Sequence, residues 1–342
     1  MVWVEIKFSI IIPVYNSQDS LAECLKSVFN SNYNGYEVIV VDDCSTDSSV
    51  EIAKKLGCKV IKHKKNGGAA KSRNTGAKSA KGSILIFLDS DVIIRKSTLK
   101  MFDESFRANQ NAAAIQSIYS KYTRYQIFTN VYKMLYLRYG FEKIKEKSIP
   151  TIASYCVAIK RNIFEELKGY NDKIPSATTE DDEFGHRITN NNYKIILNKN
   201  IECDHIVKMG FIKTLKRDYY MAKAVAKSVL RNENQEMKNT LKEGKFATNV
   251  GLNIMLSPLA AVLLIGSIIT IILTSHYWAY FSVVFFLLAF TLLNFNFFRY
   301  ICKEKGLIFS LKSWMFSVLD MSVIAAAGFI GCLEYLFLGA KY

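Results

Sequence analysis

The chain has no C-x-x-C pair and no G-x-G-x-x-G turn, and only four prolines and four histidines in 342 residues. Its seven cysteines are scattered (Cys24, Cys44, Cys58, Cys156, Cys203, Cys302 and Cys332), which fits a reducing compartment and excludes zinc knuckles and a disulfide framework. Without the glycine fingerprint after its first apolar run, the chain is not read as a dinucleotide-binding protein. The opening residues Met1-Val-Trp-Val-Glu-Ile-Lys lack a charged-then-apolar leader, so no secretory signal is expected. No nucleic-acid recognition motif accompanies the net charge of +15, so nucleic acid is excluded as the partner of that charge.

Charge is also scarce towards the C-terminus. Residues 251–342 hold five Lys or Arg and three Asp or Glu, against 45 and 30 in the whole chain. Three apolar stretches lie there, about 254–274, 277–298 and 314–340. Each is long enough to cross ~30 Å of hydrocarbon as a helix. Between the second and third stretches lie Arg299, Lys303, Lys305 and Lys312, whereas Ser275-His276 between the first two carries no fixed charge. The positive-inside rule then places the N-terminal region and the second loop in the cytoplasm. Two domains are expected, residues 1–235 and a membrane anchor over 236–342. Asp320 and Glu334 fall in the third stretch, where an ionised carboxylate is expensive, so they should face other helices or water.

The first 110 residues alternate between strand and helix. Strands are expected at Phe8–Val14, Glu37–Val41, Lys59–Lys62 and Ile84–Leu88, with helices at Ser17–Phe29, Ser45–Leu56 and Ala69–Ala80. This βαβαβ order implies an α/β fold with a doubly wound, mostly parallel sheet. Pro13, which cannot donate to a ladder, suits a strand end. Ile84–Leu88 is a continuous apolar run, as fits a buried parallel strand, and it ends in Asp89-Ser90-Asp91. Unpaired buried charge costs several kcal/mol, so carboxylates at a strand mouth point to a ligand. Two of them one residue apart suit a hard divalent cation together with phosphate oxygens.

The other strand ends are polar too. Tyr15-Asn16 follows the first, Asp42-Asp43-Cys44-Ser45-Thr46-Asp47 the second, and Asn66-Gly67-Gly68 opens the helix carrying Arg73. The carboxyl ends of strands in an open α/β sheet share one crevice. Here Asp42 or Asp43 can accept from a base or ribose, Tyr15 can lie beside a base ring, and Arg73 suits a diphosphate or a base carbonyl.

These motifs, Ser9–Asn16, Val38–Asp47, Asn66–Gly76 and Leu88–Asp91, resemble those of family 2 glycosyltransferases with the GT-A fold. So do Arg161–Asp172 and the acidic Thr179-Glu180-Asp181-Asp182-Glu183, over roughly residues 7–230 in all. The resemblance implies inverting transfer of a sugar from a UDP- or GDP-sugar with Mg²⁺ or Mn²⁺. It puts Pro13, Tyr15, Asp42, Asp43, Arg73 and Asp89 in the donor site and Asp89 and Asp91 on the metal. Asp181 is then the general base and Glu180 helps to place the acceptor. His205, after the expected strand Lys194–Leu197, matches a third metal-ligand position, whereas His63 and His276 match none. Mutual repulsion within Glu180–Glu183 should raise at least one of their pKa values.

Processive members of the family carry a Q/R-x-x-R-W motif that is missing from Leu215–Lys223, so one sugar per turnover is expected. The acidic motif favours a hydroxyl of a lipid-linked or cell-envelope glycan as acceptor. Two alternatives are a polyprenyl-phosphate sugar synthase and an inactive scaffold in an envelope-assembly complex. Finally, two basic amphipathic stretches, around Phe128–Phe141 and Ile212–Ala222, are candidates to rest on anionic membrane lipids.

Overall fold

The computed structural model describes residues 7–174, 179–230, 253–274 and 276–338. They fall into two compact units, one of residues up to 126 with 144–208, the other of 127–143 with 209 onwards. Expectations for residues 1–6, for 231–252 at the proposed domain boundary and for 339–342 lie outside the described residues.

The first unit is built on a sheet with the order β3-β2-β1-β4-β8-β6-β9-β5. Its strands are β1 (Phe8–Val14), β2 (Tyr36–Asp42), β3 (Lys59–Lys62), β4 (Ile84–Leu88), β5 (Val92–Ile94), β6 (Ala112–Tyr119), β7 (Ser148–Ile149), β8 (Cys156–Lys160) and β9 (Lys194–His205). β3, β2, β1 and β4 run parallel; β8 is antiparallel to both β4 and β6, and β6 is parallel to β9. Every residue of β1 and β4 is buried, as their apolar sequences, interrupted only by Ser9, require of central strands covered on both faces. This is the GT-A arrangement expected.

Helices of this unit are α1 (Leu21–Phe29), α2 (Ser49–Lys55), α3 (Gly68–Lys78), α4 (Thr98–Ala108), α6 (Arg161–Glu166) and α7 (Glu180–Asn190). α1 and α2 begin four residues later than expected, at Leu21 and Ser49. Two glycines seat the helices that carry the site. A Cβ on Gly76 would lie 2.4 Å from Ile11 Cγ2, and one on Gly185 would lie 2.6 Å from the Thr151 Cα. Neither α3 nor α7 could approach so closely with a larger residue there.

The second unit is helical: α5 (Phe128–Lys143), α8 (Phe211–Leu230), α9 (Asn253–Thr274), α10 (Tyr277–Leu293), α11 (Phe295–Lys305) and α12 (Leu307–Leu338). α9 over Leu256–Thr274 and α12 over Leu307–Phe337 are long and apolar enough to cross a membrane. The second expected span is not one straight helix. It breaks at Asn294, and α10 and α11 meet at 66°. Asn294 caps α10 by donating to Phe290 O at 2.9 Å and to Ser257 Oγ at 3.1 Å, and the charged α11 turns away. The third helix starts at Leu307, seven residues before the expected position.

The amphipathic stripe of α5 packs within this unit. Val131, Tyr132 and Leu135 join Ala261, Phe290, Phe297, Ile301 and Phe316 in one buried cluster. On α8 the expected stripe is half-buried at Leu215, Tyr219 and Ala222, and Phe211, Ile212 and Tyr220 are exposed beside Lys213 and Lys216.

Candidate active site

The loops after β1 and β2 are laced together above the sheet. Asn16 and Cys44 adopt left-handed backbone conformations, with φ of 49° and 68°. Asn16 N donates to Ser45 Oγ at 3.0 Å, and its side-chain oxygen accepts from Thr46 N at 2.8 Å. Gln18 N donates to Asp47 Oδ2 at 2.9 Å. Ser45 and Asp47 therefore tie two loops to each other. Tyr15 stays 55% exposed at the rim, as a ring available for stacking must. Pro13 is buried in β1 opposite Val41, in the strand that carries the rim.

Both carboxylates at the end of β2, Asp42 and Asp43, are buried. Asp42 Oδ1 accepts from Ser45 N at 3.1 Å. Asp43 accepts from Gly67 N at 2.8 Å and Gly68 N at 2.7 Å, at the start of α3, where the helix dipole favours negative charge.

Arg73 is 3% exposed, so it stands beneath the crevice. Its Nη2 donates to Asp89 Oδ1 at 2.9 Å, its Nη1 donates to Glu180 Oε1 at 3.1 Å, and Nη1 stands 3.9 Å from Asp181 Oδ1. The Tyr170 ring lies 5.6 Å from the guanidinium carbon. One planar fork thus joins the carboxylate after β4 to the acidic start of α7, residues 91 positions apart in sequence. Desolvation pushes the Asp89 carboxyl up, an effect the Arg73 charge opposes and the Asp91 charge reinforces.

Asp181 and Asp182 have different surroundings. Asp181 Oδ2 accepts from the Ser154 amide at 2.8 Å and its hydroxyl at 3.0 Å. Its Oδ1 has no hydrogen-bond partner among the described residues. Asp182 is pushed up to about 7, first by desolvation and then by repulsion from Asp181 and Glu180.

β9 runs on to His205, eight residues past the expected end, and pairs there with Val92 of β5. This brings His205 Nε2 to 3.4 Å from Asp91 Oδ2, with the Tyr119 ring 5.2 Å from the imidazole. Asp89 is turned to Arg73 instead, and no group of three metal-binding side chains assembles among the described residues. Asp91 suits a Mg²⁺- or Mn²⁺-type ion, which takes one or two carboxylates and completes its shell with phosphate oxygens and water, and His205 beside it adds an imidazole that Mn²⁺ accepts more readily than Mg²⁺.

The family model "Glycosyl transferase family 2" matches residues 9–168, which run from β1 through β8 and include the crevice residues named except Tyr170 and those of α7 and β9. The chain carries a family 2 glycosyl transferase domain. Within that domain it is 44% identical over 101 residues to the poly(ribitol-phosphate) beta-N-acetylglucosaminyltransferase TarS of Staphylococcus aureus, covering 28% of this chain and 18% of the relative. It is 42% identical over 113 residues to the poly(ribitol-phosphate) beta-glucosyltransferase of Bacillus spizizenii, covering 31% and 18%. The matched stretch is thus less than a fifth of either relative. Among solved structures, the mannosyltransferase PcManGT of Pyrobaculum calidifontis aligns with 97% of this chain and 87% of its own, at a TM-score of 0.57 and 17% identity. That likeness is one of fold.

Sequence reasoning gave His63 no part in this family 2 domain. Its ring bonds Asp43 and Thr75, and the only signal for it is its place immediately after β3.

Proposed function

We propose that the chain is an inverting glycosyltransferase. It moves one sugar per turnover from a UDP- or GDP-sugar to a hydroxyl of a lipid-linked or cell-envelope glycan, at the cytoplasmic face of a membrane. The observation that carries this reading is the Arg73 bridge. A donor-side carboxylate (Asp89) and an acceptor-side pair (Glu180, Asp181) are fixed about one guanidinium, as a single displacement between two bound substrates requires.

Asp181 would take the proton from the acceptor hydroxyl. Ser154 holds one of its oxygens and the other is unbonded, so a base of this kind is oriented before substrate arrives. Glu180, buried against Arg73, would set the height of α7 and with it the position of Asp181. Tyr15 would stack on the base, with Asp42 or Asp43 accepting from the nucleoside. Asp91 and His205, joined by the Asp89 oxygen that Arg73 does not take, would hold a divalent cation, which when bound offsets negative charge on the leaving diphosphate.

The relatives are named for transfer to poly(ribitol-phosphate), which supports a polymeric hydroxyl-bearing acceptor, and PcManGT was solved with GDP-Man and Mn²⁺. The apolar α9 and α12 support a membrane location. The deciding experiment incubates detergent-purified protein with a panel of UDP- and GDP-sugars and measures nucleotide release with and without lipid-linked acceptors. No turnover with any donor would leave the scaffold reading. An alkali-labile product would indicate the phosphate acceptor of a polyprenyl-phosphate sugar synthase.

A further inference from the structure

His63 stands one residue beyond β3, and its amide continues the parallel ladder by donating to Asp42 O at 2.9 Å. Its carbonyl accepts from Cys44 Sγ at 3.2 Å, so the backbone is held on both sides. The side chain is 10% exposed, and both ring nitrogens are bonded, Nδ1 to Asp43 Oδ1 at 2.8 Å and Nε2 to Thr75 Oγ1 at 2.9 Å.

Asp43 is thereby fixed by three donors. Gly67 N and the imidazole share Oδ1, and Gly68 N takes Oδ2. A carboxylate offers about four lone-pair positions, so one acceptor position remains, on Oδ2. Two amides from adjacent residues, one on each oxygen, hold the carboxylate from the start of α3 alone. The imidazole adds a donor from a different element, the end of β3. Thr75 lies two residues after Arg73 on α3, and Asn74 between them accepts from Tyr170 N at 2.9 Å. The imidazole therefore ties the end of β2 to the helix whose other contacts reach Asp89 and Glu180.

We propose that His63 is a positioning residue for the nucleoside end of the donor site. It holds Asp43 in one orientation against α3, so that the remaining lone pair of Asp43 is presented to an N–H or O–H of the nucleoside. The proposal rests on the transferase reading above.

The test uses the full chain in detergent, with UDP, GDP and inorganic pyrophosphate titrated calorimetrically in the presence of Mn²⁺. His63→Leu keeps the bulk of the ring and removes both hydrogen bonds. It should weaken the nucleotide that the wild type prefers by about tenfold, the usual worth of a hydrogen bond to a charged group, with pyrophosphate binding within about twofold of wild type. In turnover assays the donor KM should rise by the same factor with little change in kcat. His63→Asn, whose amide can still donate to Asp43, should recover most of the affinity. Should the leucine variant fail to fold, His63→Asn and Thr75→Val carry the test, the latter with a smaller loss in the same nucleotide-over-pyrophosphate pattern. Equal weakening of nucleotide and pyrophosphate would overturn the proposal, as would a lowered melting temperature with unchanged nucleotide affinity, because His63 would then only brace the fold. Wild-type protein that binds neither UDP nor GDP would overturn the transferase reading and this proposal with it. Normal binding by wild type and all His63 variants would overturn this proposal alone.

Discussion

Asp181 and Asp182 are neighbours in sequence whose carboxyl groups meet different partners, and their behaviour should separate accordingly. Asp181→Asn removes the proposed proton acceptor and should lower turnover by ~10²–10⁴, with donor affinity little changed, in steady-state and binding assays. A parallel loss of donor affinity would move Asp181 into the donor site. For Asp182 the folded carboxyl titrates at about 7, against 3.8 as the ordinary value. The folded protein therefore binds the extra proton between those values. The resulting stabilisation is complete below the unfolded value and is lost as the pH rises through about 7. Melting temperature should fall across that window in wild type and stay flatter in Asp182→Asn, which should be the more stable protein at pH 8. The metal assignment stands on Asp91 and His205 at 3.4 Å. Asp91→Asn should abolish transfer, and EDTA should do so reversibly, with Mn²⁺ or Mg²⁺ restoring it. Full activity after EDTA treatment would remove the metal from the reading. At this scale the sequence already located the D-x-D pair and the acidic run, because both are local. It could not show that Arg73 bridges them, since those contacts cross 16 and 107 positions.

Helices α5, α8 and α12 are joined by a buried ionic cluster that no local pattern signals. Lys133 Nζ lies 2.5 Å from Asp218 Oδ2 and 2.7 Å from Asp320 Oδ2, and Asp320 is fully buried. Glu334, further along α12, meets Lys223 and, at 2.6 Å, Lys227 of α8. Between the two clusters a Cβ on Gly331 would lie 2.7 Å from Lys223 O, so α8 and α12 touch backbone to backbone there. Both acids of the third apolar stretch therefore have cationic partners, which makes their presence in an apolar helix tolerable. Lys133→Met leaves buried Asp320 without its cation and Asp218 with Arg217 alone, and should destabilise the protein by about 3–5 kcal/mol, measured by thermal unfolding in detergent. Combining it with Asp320→Leu should recover much of that loss, whereas additive losses would show that the cluster is not one unit. The stripe on α5 was visible as an amphipathic pattern, but its period is the same for a helix on lipid and a helix in a core. Packing against Phe297 and Phe316 decides for the core.

For the whole molecule, three crossings by α9, the bent α10–α11 pair and α12 would put the two ends of the chain on opposite sides of the membrane. A reporter fused before Val4 should be cytoplasmic and one after Tyr342 external. Labelling of both on one side would mean that one of the three, α9, the bent pair or α12, does not cross. What the sequence by itself determined is whatever depends on short range: the βαβ alternation, the buried runs of β1 and β4, the polar strand ends, the D-x-D pair and the charge-poor stretch 251–342. Each is a property of a few adjacent residues and of how much apolar surface they must bury. The tertiary structure alone decided the rest. The break at Asn294 depends on Ser257 of another helix, and the reach of β9 to His205 on pairing with β5. The Arg73 and Lys133 clusters depend on charges brought together from distant positions. A buried ion is tolerable only when the fold supplies its counter-charge, and no window of adjacent residues contains that counter-charge.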